Sequence, residues 1–295
     1  MAAVSDWTER HRPTSESHLE GNENQRQKIR KWLDDWKTGI PKNKAILLVG
    51  PPGVGKTTIA RAIAQDMGWN VIELNASDAR NAASIRKAAT KGATHRSLFF
   101  SPEENDKKTL ILIDEVDHLT GGLRSVSESR INDAIKVNLD NSDNVQLKGD
   151  TGGKAELLKL LAETKQPVIL ACNEVMGLWG KSSNWRSTRE RFQRLLVTIN
   201  FERASKEALR NIARRVLKAE SMDYDSDAIE AIVSNNPGDL RALVRDLQVI
   251  CSSDINSIDK ETVLEYVQTG DRDVSVEAVS YTHLTLPRLK LCRCR

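Results

Sequence analysis

Five short apolar runs punctuate the first two hundred positions: "KAILLVG" (44–50), "NVIELN" (70–75), "TLILID" (109–114), "PVILAC" (167–172) and "LLVTINF" (195–201). Most of them are continuously apolar rather than alternating, the pattern of strands buried on both faces of a parallel sheet. Between them the period changes to that of a helix. In "NQRQKIRKWLDDWK" (24–37), Ile29, Trp32, Leu33 and Trp36 share one face, and Gly39 supplies a stop. "KTTIARAIAQDM", "ARNAASIRKAATK" and "TGGKAELLKLLAET" read as further helices. Strands alternating with helices at this spacing predict an α/β fold, a parallel sheet with helices on both faces.

Beyond about residue 203 the apolar runs stop. "SKEALRNIARRVLKAE", "SDAIEAIVSNN", "GDLRALVRDLQVIC" and "DKETVLEYVQ" are four amphipathic helical stretches with no strand between them. The expected organisation is an α/β domain over 1–202, a small all-helical domain over 203–270, and a remainder at 271–295. Two stretches break the rhythm. Residues 121–148 form a polar insertion, and "SYTHLTLPRLKLCRCR" has neither period nor acid and is similar to translated adapter sequence.

Composition changes the picture little. The chain has 295 residues, room for about two domains. No apolar run approaches the roughly 18 residues of a membrane span, and "MAAVSDWTERHRP" lacks a secretory apolar core, so a cytoplasmic, nucleoid-associated protein is expected. Cys172, Cys251, Cys292 and Cys294 show no zinc-knuckle spacing, and Cys172 reads as a small buried hydrophobe. The net charge is +3, but Arg288, Lys290, Arg293 and Arg295 lie in the last fifteen residues; +3 less these four leaves −1. Bulk charge is therefore no argument for nucleic acid, and any basic surface is local.

Candidate chemistry begins at "GPPGVGKTT" (50–58). Gly50, Gly55, Lys56 and Thr57 fit the G-x-x-x-x-G-K-[ST] spacing, between a buried strand and a helix. Gly50, Pro51, Pro52, Gly53, Val54 and Gly55 form the loop; its glycines would let backbone N–H groups, which the two prolines lack, turn toward phosphate oxygens, with Thr58 in the first turn behind them. The helix N-terminus adds its positive dipole end. Lys56 would reach the β- and γ-phosphates, and the Thr57 hydroxyl would ligate Mg²⁺. Asp114 ends an apolar strand, where a carboxylate is costly without a metal or donors, and in this loop class such an aspartate holds Mg²⁺. Glu115 beside it is the candidate general base that polarises water. Asn173, at another strand end, is the candidate that orients this water; an asparagine in a turn is the competing reading. Arg241 opens a helix after Pro237 and Gly238, with Asp239 as its cap. It would reach a γ-phosphate across a cleft, or else be a solvated helix residue. Asp117 and His118 read as surface residues.

These four stations in this order resemble an AAA+ ATPase. "WTERHRPTSESHLEGNENQRQKIRKWLDDW", "ELNASDARN" (73–81), "DTGG" (150–153) and "GDLRALVRDLQ" narrow the resemblance to replication factor C, and within it to the archaeal large subunit, over residues 5 to about 275. The resemblance implies ATP and Mg²⁺ as cofactors, with Arg12 and Pro13 in the segment that covers the adenine; Arg10 and His11 replace the usual lysine and tyrosine there. It implies a hetero-oligomer with clamp-loader small subunits, acting on the sliding clamp and on primer–template DNA through its backbone, and no membrane. Arg80, Arg86, Lys87 and Lys154 lie on the helices that match the family's DNA-tracking ones; solvated basic residues on helix faces are the competing reading. "WRSTRER" (185–191) stands where small subunits carry Ser-Arg-Cys, so the chain is expected to receive a partner's arginine rather than donate one, with Arg186, Arg189 and Arg191 as remaining finger candidates. The insertion at 121–148 is longer than the family pattern. The family's helical collar would begin near "RDVSVEAV", which implies an N-terminal piece of a longer protein.

Overall fold

In the computed structural model, residues 6–77, 81–87, 108–119, 122–140, 151–180, 183–252 and 257–269 are described. They divide into two compact units. One holds the described residues from Pro13 to Ala204; the other combines those up to Arg12 with those from Ser205 onward.

The first unit is built on a five-stranded sheet of β1 (Ala45–Val49), β2 (Asn70–Asn75), β3 (Thr109–Asp114), β4 (Val168–Cys172) and β5 (Leu196–Asn200). The order is β2-β3-β4-β1-β5 and every pairing is parallel. The five apolar runs are these five strands, and the α/β expectation holds. Alternate residues serve opposite faces. Ile46, Leu48, Leu110, Leu112, Ile169 and Ala171 pack with α2 (Glu23–Thr38) and α3 (Lys56–Asp66). Leu47, Ile111, Ile113, Val168 and Leu170 pack on the other side with α6 (Gly153–Glu163), α7 (Val175–Trp179) and α8 (Trp185–Gln193). Two covered faces explain why these strands carry no polar alternation. On α2, Ile29, Trp32, Leu33 and Trp36 are the buried face, as its spacing predicted.

The polar insertion is partly helical. α5 (Glu128–Asp140) follows α4 (82–87) in the chain and buries Ile131 and Ala134 against Ala82 and Ala83. The polar residues around its apolar positions hide it in the sequence. Residues 141–148 and 270–295, with Cys292 and Cys294, lie outside the described residues.

The second unit contains α9 (Lys206–Ala219), α10 (Ser226–Asn235), α11 (Leu240–Cys251) and α12 (Lys260–Thr269). Ser205 Oγ caps α9 and an Asp239 oxygen caps α11. Gly238, at φ +75°, makes the break between α10 and α11. The unit is not strand-free, however: Asp223–Tyr224 (β6) and Ser257–Ile258 (β7) form a short parallel pair. It also takes in α1 (Trp7–Arg10), which the sequence reading assigned to the α/β domain. Trp7 is buried and its N–H donates to Gln248 Oε1 at 2.9 Å; the Arg10 guanidinium and His11 Nε2 both meet the Glu220 carboxylate, at 2.8 and 2.7 Å. Among the described residues no helix is long and apolar enough to cross a membrane.

Candidate functional site

The sheet order sets the site. β4 lies between β1 and β3, so the chain leaving β4 emerges between the glycine loop after β1 and the acidic pair that ends β3. Ligands of open parallel sheets bind at this carboxyl edge.

The loop takes its shape from its glycines. Gly53 and Gly55 hold left-handed φ of +74° and +85°, and Gly55 is the N-cap of α3. Gly50 is needed for space: a Cβ there would sit 2.6 Å from the Phe201 carbonyl oxygen. Pro52 is exposed, Pro51, Gly53, Gly55 and Thr58 are half-buried, and Val54 is buried. Lys56 and Thr57, the first two residues of α3, are each 7% exposed.

Lys56 Nζ donates to Gly50 O at 2.8 Å, Pro51 O at 2.9 Å and Asn173 Oδ1 at 2.9 Å. Two carbonyls and one amide oxygen thus meet a buried ammonium, with no carboxylate bonded to it among these three. The loop lysine and the strand-end asparagine, 117 residues apart, are brought together. Beside them, burial raises the Asp114 carboxyl above the usual carboxylate range, against the Glu115 N–H that donates to its Oδ1 at 2.8 Å and the nearby Lys56 charge. Glu115 adopts φ +55°, rare for a residue with a Cβ. Its Oε2 lies 3.6 Å from Nδ1 of the exposed His118.

These residues fit a magnesium-bound nucleotide. Asp114 is a carboxylate under a desolvation penalty that a cation would relieve. Thr57 is buried in the first turn of α3, and the loop has the left-handed glycines that phosphate cradling requires. Among the described residues no group of three or more His, Cys, Asp or Glu side chains could hold a metal by itself. That matches an ion held by one hydroxyl, one carboxylate and the nucleotide's own oxygens.

The remaining candidates are distributed. Arg241 is exposed in the first turn of α11, in the helical unit. Arg12 belongs to that unit and Pro13 to the α/β unit; Arg12 Nη1 lies 3.5 Å from Glu9 Oε2. Arg186 lies over the Trp185 ring, 5.3 Å from its centroid, while Arg189 and Arg191 are exposed on α8.

The basic residues offered for DNA fare differently. Arg80 lies outside the described residues and Lys87 is half-buried. Arg86 is gripped by Glu156 through Nε (2.6 Å) and by Glu128 through Nη1 (2.6 Å), and Lys159 completes the cluster on Glu128 at 2.6 Å. Lys154 is 3% exposed, with Nζ donating to Gly177 O at 3.2 Å. In this structure Lys154 is buried and Arg86 is half-buried, each tied to partners within the α/β unit. Asp117 is a second correction. Its Oδ2 accepts the N–H of Asn173 (3.1 Å) and of Glu174 (3.2 Å), which is not the behaviour of a surface residue. Cys172 is buried as expected, its thiol pushed up to about 12 mainly by burial.

Such an edge, a glycine loop with its lysine, a strand-end acidic pair and an asparagine between them, defines a P-loop nucleotide-binding protein. Residues 46–198, just over half of the chain, match the ATPase family associated with various cellular activities (AAA), and the chain belongs to that family. The resemblance to replication factor C is borne out. The replication factor C large subunit of Halobacterium salinarum is 33% identical over 269 residues, 91% of this chain and 47% of that one. That of Methanosarcina mazei is 30% identical over 274 residues, 93% and 37%. The chain thus spans less than half the length of these two relatives. Among solved structures, a point variant of Thermotoga maritima RuvB matches with a TM-score of 0.58 at 20% identity, over 88% of this chain and 72% of that one, a likeness of fold.

Proposed function

We propose that this chain is the ATP-binding part of a clamp-loader large subunit, a cytoplasmic, nucleoid-associated Mg²⁺-dependent ATPase. It would use ATP binding and hydrolysis to open the sliding clamp and place it on primed DNA, in a hetero-oligomer with small subunits. One observation carries the nucleotide half of this reading: Lys56 Nζ joins the glycine loop to Asn173 at the carboxyl edge of the sheet. The similarity to replication factor C large subunits over more than nine-tenths of the chain supports the clamp-loading half.

In this reading the three oxygens on Lys56 Nζ mark where phosphate oxygens compete for it, and the backbone N–H groups of 53–57 take the rest of the triphosphate. Thr57 and Asp114 hold Mg²⁺, which neutralises phosphate charge when bound. Glu115 accepts a proton from water, and Asn173 orients that water against the γ-phosphate. Arg241 serves as the γ-phosphate contact of the helical unit, Arg12 and Pro13 flank the adenine, and a small subunit supplies the remaining arginine. DNA is gripped by its backbone without base reading. Arg86 and Lys154 are not proposed for that contact, since both are spent inside the α/β unit.

The test is ATP hydrolysis by this chain with archaeal clamp-loader small subunits, with and without sliding clamp and primed DNA, and with EDTA as the metal control. Turnover that requires small subunits and Mg²⁺ and rises with clamp plus primed DNA is the expected result. Turnover that ignores them but rises with four-way junction DNA would replace this reading with a branch-migration motor. ATP binding with no turnover under any condition would leave a scaffold.

A further inference from the structure

Asn173 is the first residue beyond β4, and a side chain at a strand end swings with its backbone unless something fixes it. Here one carboxylate oxygen does so. Asp117 Oδ2 takes both successive amides, Asn173 N–H and Glu174 N–H. Among the described residues the other oxygen, Oδ1, is buried with no hydrogen-bond partner.

The carboxylate itself is braced from behind. Gly177, in the single turn of α7, lies so close to Asp117 that a Cβ on it would overlap the Asp117 carbonyl oxygen and stand 2.7 Å from its Cβ. Only glycine lets the two backbones meet there. The carbonyl of Gly177 is in turn tied down by Lys154 Nζ from α6, a buried charge set on a main-chain oxygen. A continuous line therefore runs from Lys154 through Gly177, Asp117 and Asn173 to Lys56, each step a hydrogen bond or a close packing contact.

We propose that Asp117 is a positioning residue that holds the Asn173 side-chain amide at the tip of Lys56, with Gly177 and Lys154 as its brace. The proposal rests on the reading that sets Asn173 at the γ-phosphate, where it orients water. A change at Asp117 or Lys154 then alters how well the site tells ATP from ADP, although neither side chain touches nucleotide.

The experiment compares the full chain with Asp117→Ala, Asp117→Asn, Lys154→Gln, Asn173→Ala and the Asp117→Ala/Asn173→Ala double variant. It reads the ratio of affinities for a non-hydrolysable ATP analogue and ADP, both with Mg²⁺, and thermal melting checks folding. Asn173→Ala and Asp117→Ala each lower the ratio about tenfold, one lost hydrogen-bond position. The double variant goes no lower than the singles, because both remove one device. Asp117→Asn, which keeps an acceptor, recovers most of the ratio, and Lys154→Gln shifts it in the same direction by less. A wild-type ratio in Asp117→Ala beside a reduced one in Asn173→Ala overturns the positioning role and leaves Asn173 at the γ-phosphate. A wild-type ratio in Asn173→Ala overturns its placement at the γ-phosphate. Equal loss of both nucleotides, or additive effects in the double variant, makes Asp117 merely structural. Should Asp117→Ala fail to fold, Asp117→Asn and Lys154→Gln decide: ratios unchanged in both overturn the proposal.

Discussion

Two buried lysines divide this molecule's chemistry between them. Lys56 and Lys154 are 7% and 3% exposed, and both spend their ammonium protons on main-chain carbonyls. Lys56 is held at the edge of a glycine loop, by oxygens that a more strongly charged acceptor would outcompete. Lys154 is held in a closed seam, by a carbonyl that a packed glycine fixes in place. Burial therefore does not mark a functional cation. What marks it is whether its partners can be exchanged.

The contrast is sharpest at Glu115, proposed as the base. Glu115→Gln is expected to lower turnover in the reconstituted loader by about 10²–10⁴-fold while nucleotide affinity stays within a few-fold. Unchanged turnover would remove Glu115 from the base role. Next in size, Lys56→Met should weaken binding of ATP by about 10–100-fold, since hydrogen bonds to charged groups each contribute roughly 1.5–3 kcal/mol. Its melting temperature should stay near the wild-type value, because removing the ammonium also removes the cost of burying it. Lys154→Met should do the reverse: keep most of the nucleotide affinity and lose about 1–3 kcal/mol of stability, by leaving the Gly177 carbonyl unpaired in the seam. If Lys154→Met melted at the wild-type temperature, the seam would not be the structural tie described above. The smallest effect belongs to Arg86→Gln, about 1 kcal/mol in melting, because its pair with exposed Glu128 contributes little and only the half-buried pair with Glu156 is lost at a cost. A large loss of duplex DNA affinity in that variant would return Arg86 to the DNA face.

Much of this was legible before any coordinates. The five strands were readable because both sheet faces are covered, which forces unbroken apolar runs. Asp114 and Asn173 were readable because each lies at or just beyond a strand end, and Lys56 and Thr57 because the glycine spacing before them marks the loop that follows β1. What escaped has a common cause. α5 carries Ile131, Ile135 and Leu139 at helical spacing, but the polar residues around them hid that period in the sequence. Lys154 and Arg86 look like surface cations in one dimension, and only the carbonyl and acid brought to them from 23 and 70 residues away show otherwise. Asp117 was passed over because its partners are backbone amides, which carry no residue-type signal.

The boundary at Arg12 and Pro13 carries a consequence for how the chain is made. The backbone passes between the units twice, at 12–13 and again at 204–205, because Trp7 is buried on α11 while Pro13 already belongs to the sheet unit. The helical unit is thus split in sequence, and the α/β unit is the continuous one. On the ribosome the α/β unit can close as soon as Ala204 emerges, whereas α1 must wait for Gln248, its partner 241 residues away. Cutting the chain at 204 would yield a sheet unit with an idle N-terminal arm. A helical unit made alone would need that arm grafted back, most simply by circular permutation.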